Sequence, residues 1–244
     1  MTSAYELSSE DIPTSFHNFK IVQVSDLHDA MFGEGNERLV QKVANEQPDV
    51  IFITGDIIDS RRYDLAQSVA TAKQLALIAP TYFVTGNHEV ATNDLDTIYA
   101  ELEQVGVITL KNEAVQLQRD GETIIIAGLE DPLMNFDVQK QLQQIIDSEK
   151  YTLLLSHRPE LFDKYVTAQV DAVFAGHAHG GQIRIPFLLE GMFAPGQGWW
   201  PEYTAGVYEE QQTTMIVSRG LGNSAFQQRI LNFPELVVVT LKSH

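Results

Sequence analysis

The sequence predicts an α/β fold in which two β-sheets pack together with helices outside. Three observations carry that expectation. Strand-length apolar runs alternate with helix-spaced stretches through the first two-thirds of the chain. The later part reads as hairpin-like strands, and strands of both kinds in one chain point to packed sheets flanked by helices. Five of the apolar runs are followed at once by short polar blocks carrying histidine or carboxylate, the position where α/β sheets place their chemistry.

Taken in order, Tyr5-Glu6-Leu7-Ser8 reads as the tail of a strand, an abrupt start that leaves an upstream segment open. Strands are expected at Ile21 to Val24, Val50 to Ile53, Tyr82 to Val84, Leu153 to Leu155 and Val170 to Phe174. Helices are expected at Gly35 to Glu46, closed by Pro48, and at Leu65 to Ile78, closed by Pro80. A third is expected from Asp94 to Val105, with Asp94 as N-cap and Gly106 just past its end. Val138 to Ile146 and Glu160 to Val166 complete the helices. Asp120-Gly121 signals a hairpin between Val115-Gln116-Leu117 and Thr123 to Ala127. Met215 to Ser218 and Leu236 to Leu241 are the last strands expected. Phe187 to Tyr203 reads as a long irregular stretch rich in Gly, Pro and aromatics, of a length that tends to be functional.

A chain of 244 residues with this pattern is most economically a single domain, 1–244, and 44% hydrophobic residues suffice for a sizeable core. With no cysteine, disulfides, zinc–thiolate sites and iron–sulfur clusters are excluded. A net charge of −17 repels long nucleic acid and anionic lipid at long range. Screening over roughly 8–10 Å still lets a locally cationic site hold one phosphate. No apolar run approaches the ~18 residues of a spanning helix, so a soluble, cytoplasmic protein is expected. Membrane association is the alternative if an N-terminal anchor precedes this chain.

The polar blocks point to metal. Asp26 and His28 lie two residues apart, so at an extended strand end they face one side and offer one cation an oxygen and a nitrogen. Asp56, in Gly55-Asp56-Ile57-Ile58-Asp59, has two oxygens able to bridge two ions; alternatively Asp56 or Asp59 caps backbone N–H groups. In Gly86-Asn87-His88-Glu89, Asn87 offers a neutral oxygen, His88 titrates near neutral pH, and Glu89 is positioned to orient it; the block also fits a plain turn. His177 and His179 sit among Gly176, Gly180 and Gly181, which leave room for substrate. His157 in Ser156-His157-Arg158 could by itself be structural. All five blocks in strand-end context favour metal ligation over these separate readings. Imidazole and carboxylate without sulfur suit Mn, Fe or Zn better than Mg alone. Two divalent ions, two aspartates and a bridging hydroxide leave about one positive charge, which suits a monoanionic phosphodiester or a phosphoryl transition state.

The ordered set D-x-H, G-D-x-x-D, G-N-H-[DE], H and G-H-x-H, spanning Asp26 to His179, resembles the calcineurin-like metallophosphoesterase superfamily. Gly180-Gly181-Gln182, Phe193-Ala194-Pro195-Gly196-Gln197-Gly198 and Ser218-Arg219-Gly220-Leu221-Gly222-Asn223 resemble its bacterial, often membrane-anchored phosphohydrolases. The resemblance implies a four-layer α/β/β/α sandwich of two mixed sheets with a dinuclear centre between the sheet ends. It assigns Asp26, His28, Asp56 and His179 to one ion, and Asp56, Asn87, His157 and His177 to the other. His88 becomes the catalytic histidine, with Asp59 or Glu89 behind it. The superfamily does not choose a substrate. One catalytic histidine and a modest site charge favour a phosphodiester or pyrophosphate, with in-line attack by a metal-bridging hydroxide as the expected mechanism. Phosphomonoesters and cyclic nucleotides are alternative substrates, and a non-catalytic metal-binding scaffold is the alternative of another class.

Arg61, Arg62 and Gln182 are further candidates for contact with substrate or ligands, although Arg61 and Arg62 also fit a solvated helix start. The expected partner is a small phosphate ester or a lipid headgroup. Phe187, Leu188, Leu189, Met192, Phe193, Trp199 and Trp200 would make peripheral membrane contact if exposed together, and ordinary core if packed over the sheet.

Overall fold

The protein was analysed as a computed structural model, which describes residues 1–147, 149–185, 191–223 and 228–244. The chain runs β1 (Thr2–Ser9), β2 (Lys20–Val24), α1 (Glu37–Glu46), β3 (Val50–Thr54), α2 (Leu65–Ala76) and β4 (Thr81–Val84). It continues through α3 (Asn87–Ala91), α4 (Leu95–Gln104), β5 (Val107–Thr109), β6 (Glu113–Arg119) and β7 (Glu122–Leu129). Next come α5 (Val138–Ile145), β8 (Thr152–Ser156), α6 (Phe162–Thr167) and β9 (Ala172–Ala175). Two short pairing strands, β10 (Phe193–Ala194) and β11 (Gly198–Trp199), precede β12 (Gly206–Glu210), β13 (Thr213–Val217) and β14 (Leu236–Ser243).

Two six-stranded sheets result, in the orders β1-β14-β2-β3-β4-β5 and β12-β13-β9-β8-β7-β6. Both are mixed. In the first, β14 is antiparallel to β2 and the remaining pairings are parallel. In the second, β13, β9, β8 and β7 run parallel between antiparallel edge strands.

Strand alternation sorts the apolar residues into three buried layers. Ile21, Phe52, Tyr82 and Val84 of the first sheet meet Ile126, Leu153, Leu155 and Phe174 of the second in the central layer. The neighbouring positions Val22, Ile51, Ile53 and Phe83 face outward onto Leu39 and Val43 of α1, Leu75 of α2 and Ile98 and Leu102 of α4. On the far side Ile125, Leu154, Val173 and Met215 pack against Leu142 of α5 and Tyr165 of α6. The architecture is the expected α/β/β/α sandwich.

Several boundaries differ from the sequence expectation for physical reasons. The first helix starts at Glu37 rather than Gly35, because Gly35 and Asn36 are left-handed and buried Asn36 accepts the Phe32 N–H at 2.7 Å. The helix expected from Glu160 starts at Phe162, after a short turn led by Pro159. Asp94 precedes α4 but its side chain makes no cap bond; it accepts the Tyr63 hydroxyl at 2.7 Å instead. The five-residue α3, the three-residue β5 and the β10–β11 pair lie below the length at which periodicity is readable.

Candidate metal centre

All five polar blocks sit at the C-terminal ends of parallel strands, three from the first sheet (β2, β3, β4) and two from the second (β8, β9). The two sheet ends are tied directly: Gln23 Nε2 donates to Ala175 O at 2.9 Å, and His157 Nδ1 to Thr54 O at 2.8 Å. The site therefore lies at a junction between two sheets.

Asp26 and His28 do share one side, but not because the strand continues. β2 ends at Val24, and Asp26 and His28 have φ of 50° and 48°. The tail wraps this loop: Leu221 N–H donates to Ser25 O at 3.0 Å and Gly222 N–H to Asp26 O at 2.6 Å. At Gly222 a Cβ would fall 1.9 Å from Leu27 O, so only glycine permits this approach.

The ligand atoms fall into two clusters. In one, His28 Nε2 lies 3.2 Å from His179 Nε2, and Asp26 Oδ1 lies 3.3 Å from the same His179 nitrogen. In the other, His157 Nε2 lies 3.2 Å from both Asp56 Oδ2 and His177 Nδ1. Asp56 Oδ2 is also 3.7 Å from His28 Nε2, so this one carboxylate belongs to both. Asp26–His28–His179 and Asp56–His157–His177 are each grouped closely enough for a metal ion, and all six residues are buried.

Asn87, the first residue of α3, carries a buried Oδ1 with no hydrogen-bond partner among the described residues. A buried neutral oxygen left unsatisfied is what a cation would complete, and the next residue, His88, donates its backbone N–H to Asp56 Oδ1 at 2.8 Å. The donor set of imidazole, carboxylate and amide oxygen fits metal binding.

Burial holds His28, His177 and His179 below the usual imidazole range, leaving neutral ring nitrogens for a cation. His157 behaves oppositely: burial would lower it, but the Asp56 carboxylate overcomes this and raises it to about 10. Asp56, despite burial, is drawn well below the usual carboxylate range by His157 and then His28.

His88 forms a third close group with His28 and Asp59, its ring edge-on to His28 at 4.6 Å between centroids. The Ser60 backbone N–H donates to His88 Nδ1 at 3.0 Å. A backbone N–H can only donate, so in the neutral ring Nδ1 accepts and Nε2 carries the proton. Asp59 Oδ1, 3.4 Å from Nδ1, is the nearby carboxylate. Glu89 does not take the orienting role expected of it. Its carboxylate accepts backbone N–H groups of Gly86 (2.7 Å), Asp56 (2.8 Å) and Ile58 (3.2 Å). Burial and the Asp56 charge push Glu89 up to about 8, against those three donors.

Arg62 is paired to Asp59 (2.7 Å) and to Asn223 O (2.9 Å); Arg61 is exposed and meets the site through its backbone N–H, donated to Asp59 Oδ1 at 3.0 Å. They lie in a turn before α2, whose N-cap is Asp64. Gln182 is nearly buried, with backbone bonds to His179 and Ile230 and an unpartnered Oε1. Phe187, Leu188 and Leu189 lie outside the described residues. Of their expected companions, Trp199 and Trp200 are 65% and 69% exposed and so are not core.

Sequence reasoning missed two arginines. Arg158 Nη1 sits 2.8 Å from His177 Nε2, with Asp131 gripping its Nε (2.5 Å) and Nη2 (3.0 Å). Arg229 Nη2 sits 3.3 Å from His179 Nδ1, and the same guanidinium donates to Asn223 Oδ1 and the carbonyls of Arg219, Gly220 and Gly222. Burial lowers Arg229 to about 10. Arg158 could have been found by adjacency to His157; Arg229 lies 50 residues beyond His179, and nothing local signals it.

The comparisons with known proteins agree with this geometry. The calcineurin-like phosphoesterase profile matches residues 19–181, about two-thirds of the chain and all the ligand blocks. The chain belongs to the calcineurin-like phosphoesterase family. It is 34% identical to an uncharacterized metallophosphoesterase, YkuE, of Bacillus subtilis, over 99% of this chain and 85% of that protein. It is 30% identical to the Bos taurus transmembrane protein with metallophosphoesterase domain, over 98% of this chain but only 56% of that longer protein. The fold of this calcineurin-like phosphoesterase chain is similar to that of a dimetal phosphatase from Danio rerio, with a TM-score of 0.51 at 13% identity over 84% and 88% of the two chains.

Proposed function

We propose that this chain hydrolyses a phosphodiester or pyrophosphate bond with two divalent ions of the Mn, Fe or Zn type. The observation that carries the reading is the division of labour at the site. Asp26, His28, Asp56 and His179 would hold one ion, and Asp56, Asn87, His157 and His177 the other, while His88 is left with a proton on Nε2.

Bound there, the ions would supply an activated water and Lewis-acid charge. The chain's own residues supply the rest. His88, held by Ser60 N–H at Nδ1, presents its Nε2–H as a donor to a phosphoryl oxygen or a departing oxygen. Among the described residues no carboxylate contacts Arg229, so its charge adds to the field that attracts phosphate. A cavity of about 310 Å³ opens beside His28, lined by Met31, Phe32, Leu221, Pro234 and Arg62. It offers room for an organic group carried by the phosphate.

The test is a metal-by-substrate screen comparing a monoester, a diester, a cyclic nucleotide and a nucleotide-sugar pyrophosphate, with elemental analysis of the purified protein. Fastest turnover of the diester or pyrophosphate is expected. Preference for monoester or cyclic nucleotide would replace the bond type and leave the metal chemistry. No turnover of any with both ions bound would favour the scaffold reading.

The exposed Trp199 and Trp200 favour a second reading, that the enzyme works at a lipid interface on a lipid-headgroup phosphate. Ile230, Leu231 and Phe233 are exposed as well, and Ile230 pairs with Ile183 on the segment leading out of His179. The bovine relative is named a transmembrane protein, which is consistent with work at a membrane. Among the described residues no helix is long and apolar enough to cross one. Neutral phosphatidylcholine vesicles should sediment the protein, and sedimentation unaffected by changing Trp199 and Trp200 to Ser would count against this reading.

A further inference from the structure

His177 turns one ring nitrogen to the cluster and the other to a donor. Its Nδ1 faces the cluster, 3.2 Å from His157 Nε2, while its Nε2 faces away, 2.8 Å from Arg158 Nη1. A guanidinium has only donors, so in this arrangement Nε2 accepts from Arg158. Ligation through Nδ1 needs that lone pair free, which moves the proton of a neutral ring to Nε2. There it would point at an arginine N–H, donor against donor. His177 can serve the second ion only if an acceptor replaces Arg158 behind it.

One acceptor is in place. Glu160 Oε1 lies 3.9 Å from His177 Nε2 and 3.3 Å from Arg158 Nη1, and its buried Oε2 has no hydrogen-bond partner. Arg158 can give up the histidine without being released, because Asp131 holds it in a two-point grip through Nε and Nη2. Glu160 is also fixed from behind: a Cβ on Gly196 would fall 2.3 Å from Oε1, so the backbone of the β10–β11 turn closes that side. Only Arg158 and Pro159 separate Glu160 from His157, so one short turn carries a ligand and this carboxylate.

We propose that Glu160 is the positioning residue for the second ion, accepting the Nε2–H of His177 when Nδ1 ligates and displacing Arg158 from that ring. The proposal rests on the dinuclear reading above. A carboxylate behind a ligating histidine fixes the ring's tautomer and raises its basicity, and loss of such a partner typically weakens metal binding about 10–100-fold.

The test uses the full chain stripped of metal and titrated with Mn²⁺ by calorimetry, as wild type, Glu160→Gln and Glu160→Ala. The wild type should bind two ions. Glu160→Ala should weaken one of them about 10–100-fold and leave the other within about threefold. Glu160→Gln, which keeps a carbonyl acceptor, should fall between. With Zn²⁺ and ¹⁵N-labelled histidine, long-range nitrogen–proton spectra should show the His177 proton on Nδ1 without metal and on Nε2 with it. Two ions bound with unchanged affinity in Glu160→Ala, or a His177 proton that stays on Nδ1 in the loaded protein, would overturn the proposal alone. A wild type that binds no second ion would overturn it together with the dinuclear reading.

Discussion

The Glu89 carboxylate accepts the backbone N–H of Asp56 at 2.8 Å, through the same oxygen that takes the Gly86 N–H at 2.7 Å. One side chain thus ties the loop carrying the shared aspartate to the start of the helix carrying Asn87 and His88. In the metal-free protein burial and Asp56 push Glu89 up to about 8, so a neutral amide resembles the form present at pH 7. Cations on Asp56 would remove that repulsion and leave an ionised carboxylate facing three donors. Glu89→Gln swaps one accepting oxygen for an amide nitrogen that only donates, so a small loss of stability is expected without metal. With Mn²⁺ it should be about 1–3 kcal/mol less stable than wild type, as read by denaturant unfolding. Equal stability in both conditions would show that the tie does not depend on Asp56 charge.

Gly86 leaves no room for a side chain. A Cβ there would fall 2.2 Å from Asp56 Oδ1 and 2.7 Å from Asp56 N. Gly86→Ala should cost about 1–3 kcal/mol from overpacking and displace the carboxylate that both clusters share. Mn²⁺ affinity, measured by calorimetry, should fall at both sites together. Affinity lost at one site alone would contradict the placement of Asp56 between them.

At the opposite end of β9, away from the ligands, Asp171 Oδ2 accepts the Thr152 N–H at 2.7 Å. Burial raises Asp171 to about 6, and Asp11 adds to the effect. A carboxyl raised on folding contributes stability that is complete below its unfolded value near 3.8 and is lost as pH rises through about 6. Because Asp171 is partly solvated, the loss is discounted to about 1–2 kcal/mol. Denaturant unfolding of Asp171→Asn should gain on wild type by about that much between pH 4 and 7. A difference independent of pH would contradict the assignment.

Much of the site was legible because its ligands follow apolar strands directly, so adjacency in sequence carried adjacency in space. Asp26, His28, Asp56, His157, His177 and His179 come together in groups close enough to hold a metal ion. The reason for some of them was different. Asp26 and His28 share a side through left-handed backbone, not an extended strand, and no propensity argument anticipates that. Glu89 was assigned to its sequence neighbour His88, whereas its partners are backbone groups of the preceding loop. Ser60 meets His88 Nδ1 with both its backbone N–H and its hydroxyl, each at 3.0 Å, a pairing that no sequence pattern marks. Arg229 and Asn232 reach His179 from the tail of the chain, about 50 residues on, through contacts that exist only after β14 has returned to the first sheet.

The central claim is that Asp56 holds ions while His88 handles the proton, and one comparison tests it most directly. Bound metal and turnover of a chromogenic phosphodiester are measured for wild type, Asp56→Asn and His88→Ala. His88→Ala should keep its ions and lose roughly 10²–10⁴ in turnover, the range for general acid catalysis. Asp56→Asn should lose bound metal and activity together. Full activity in both variants would contradict the account.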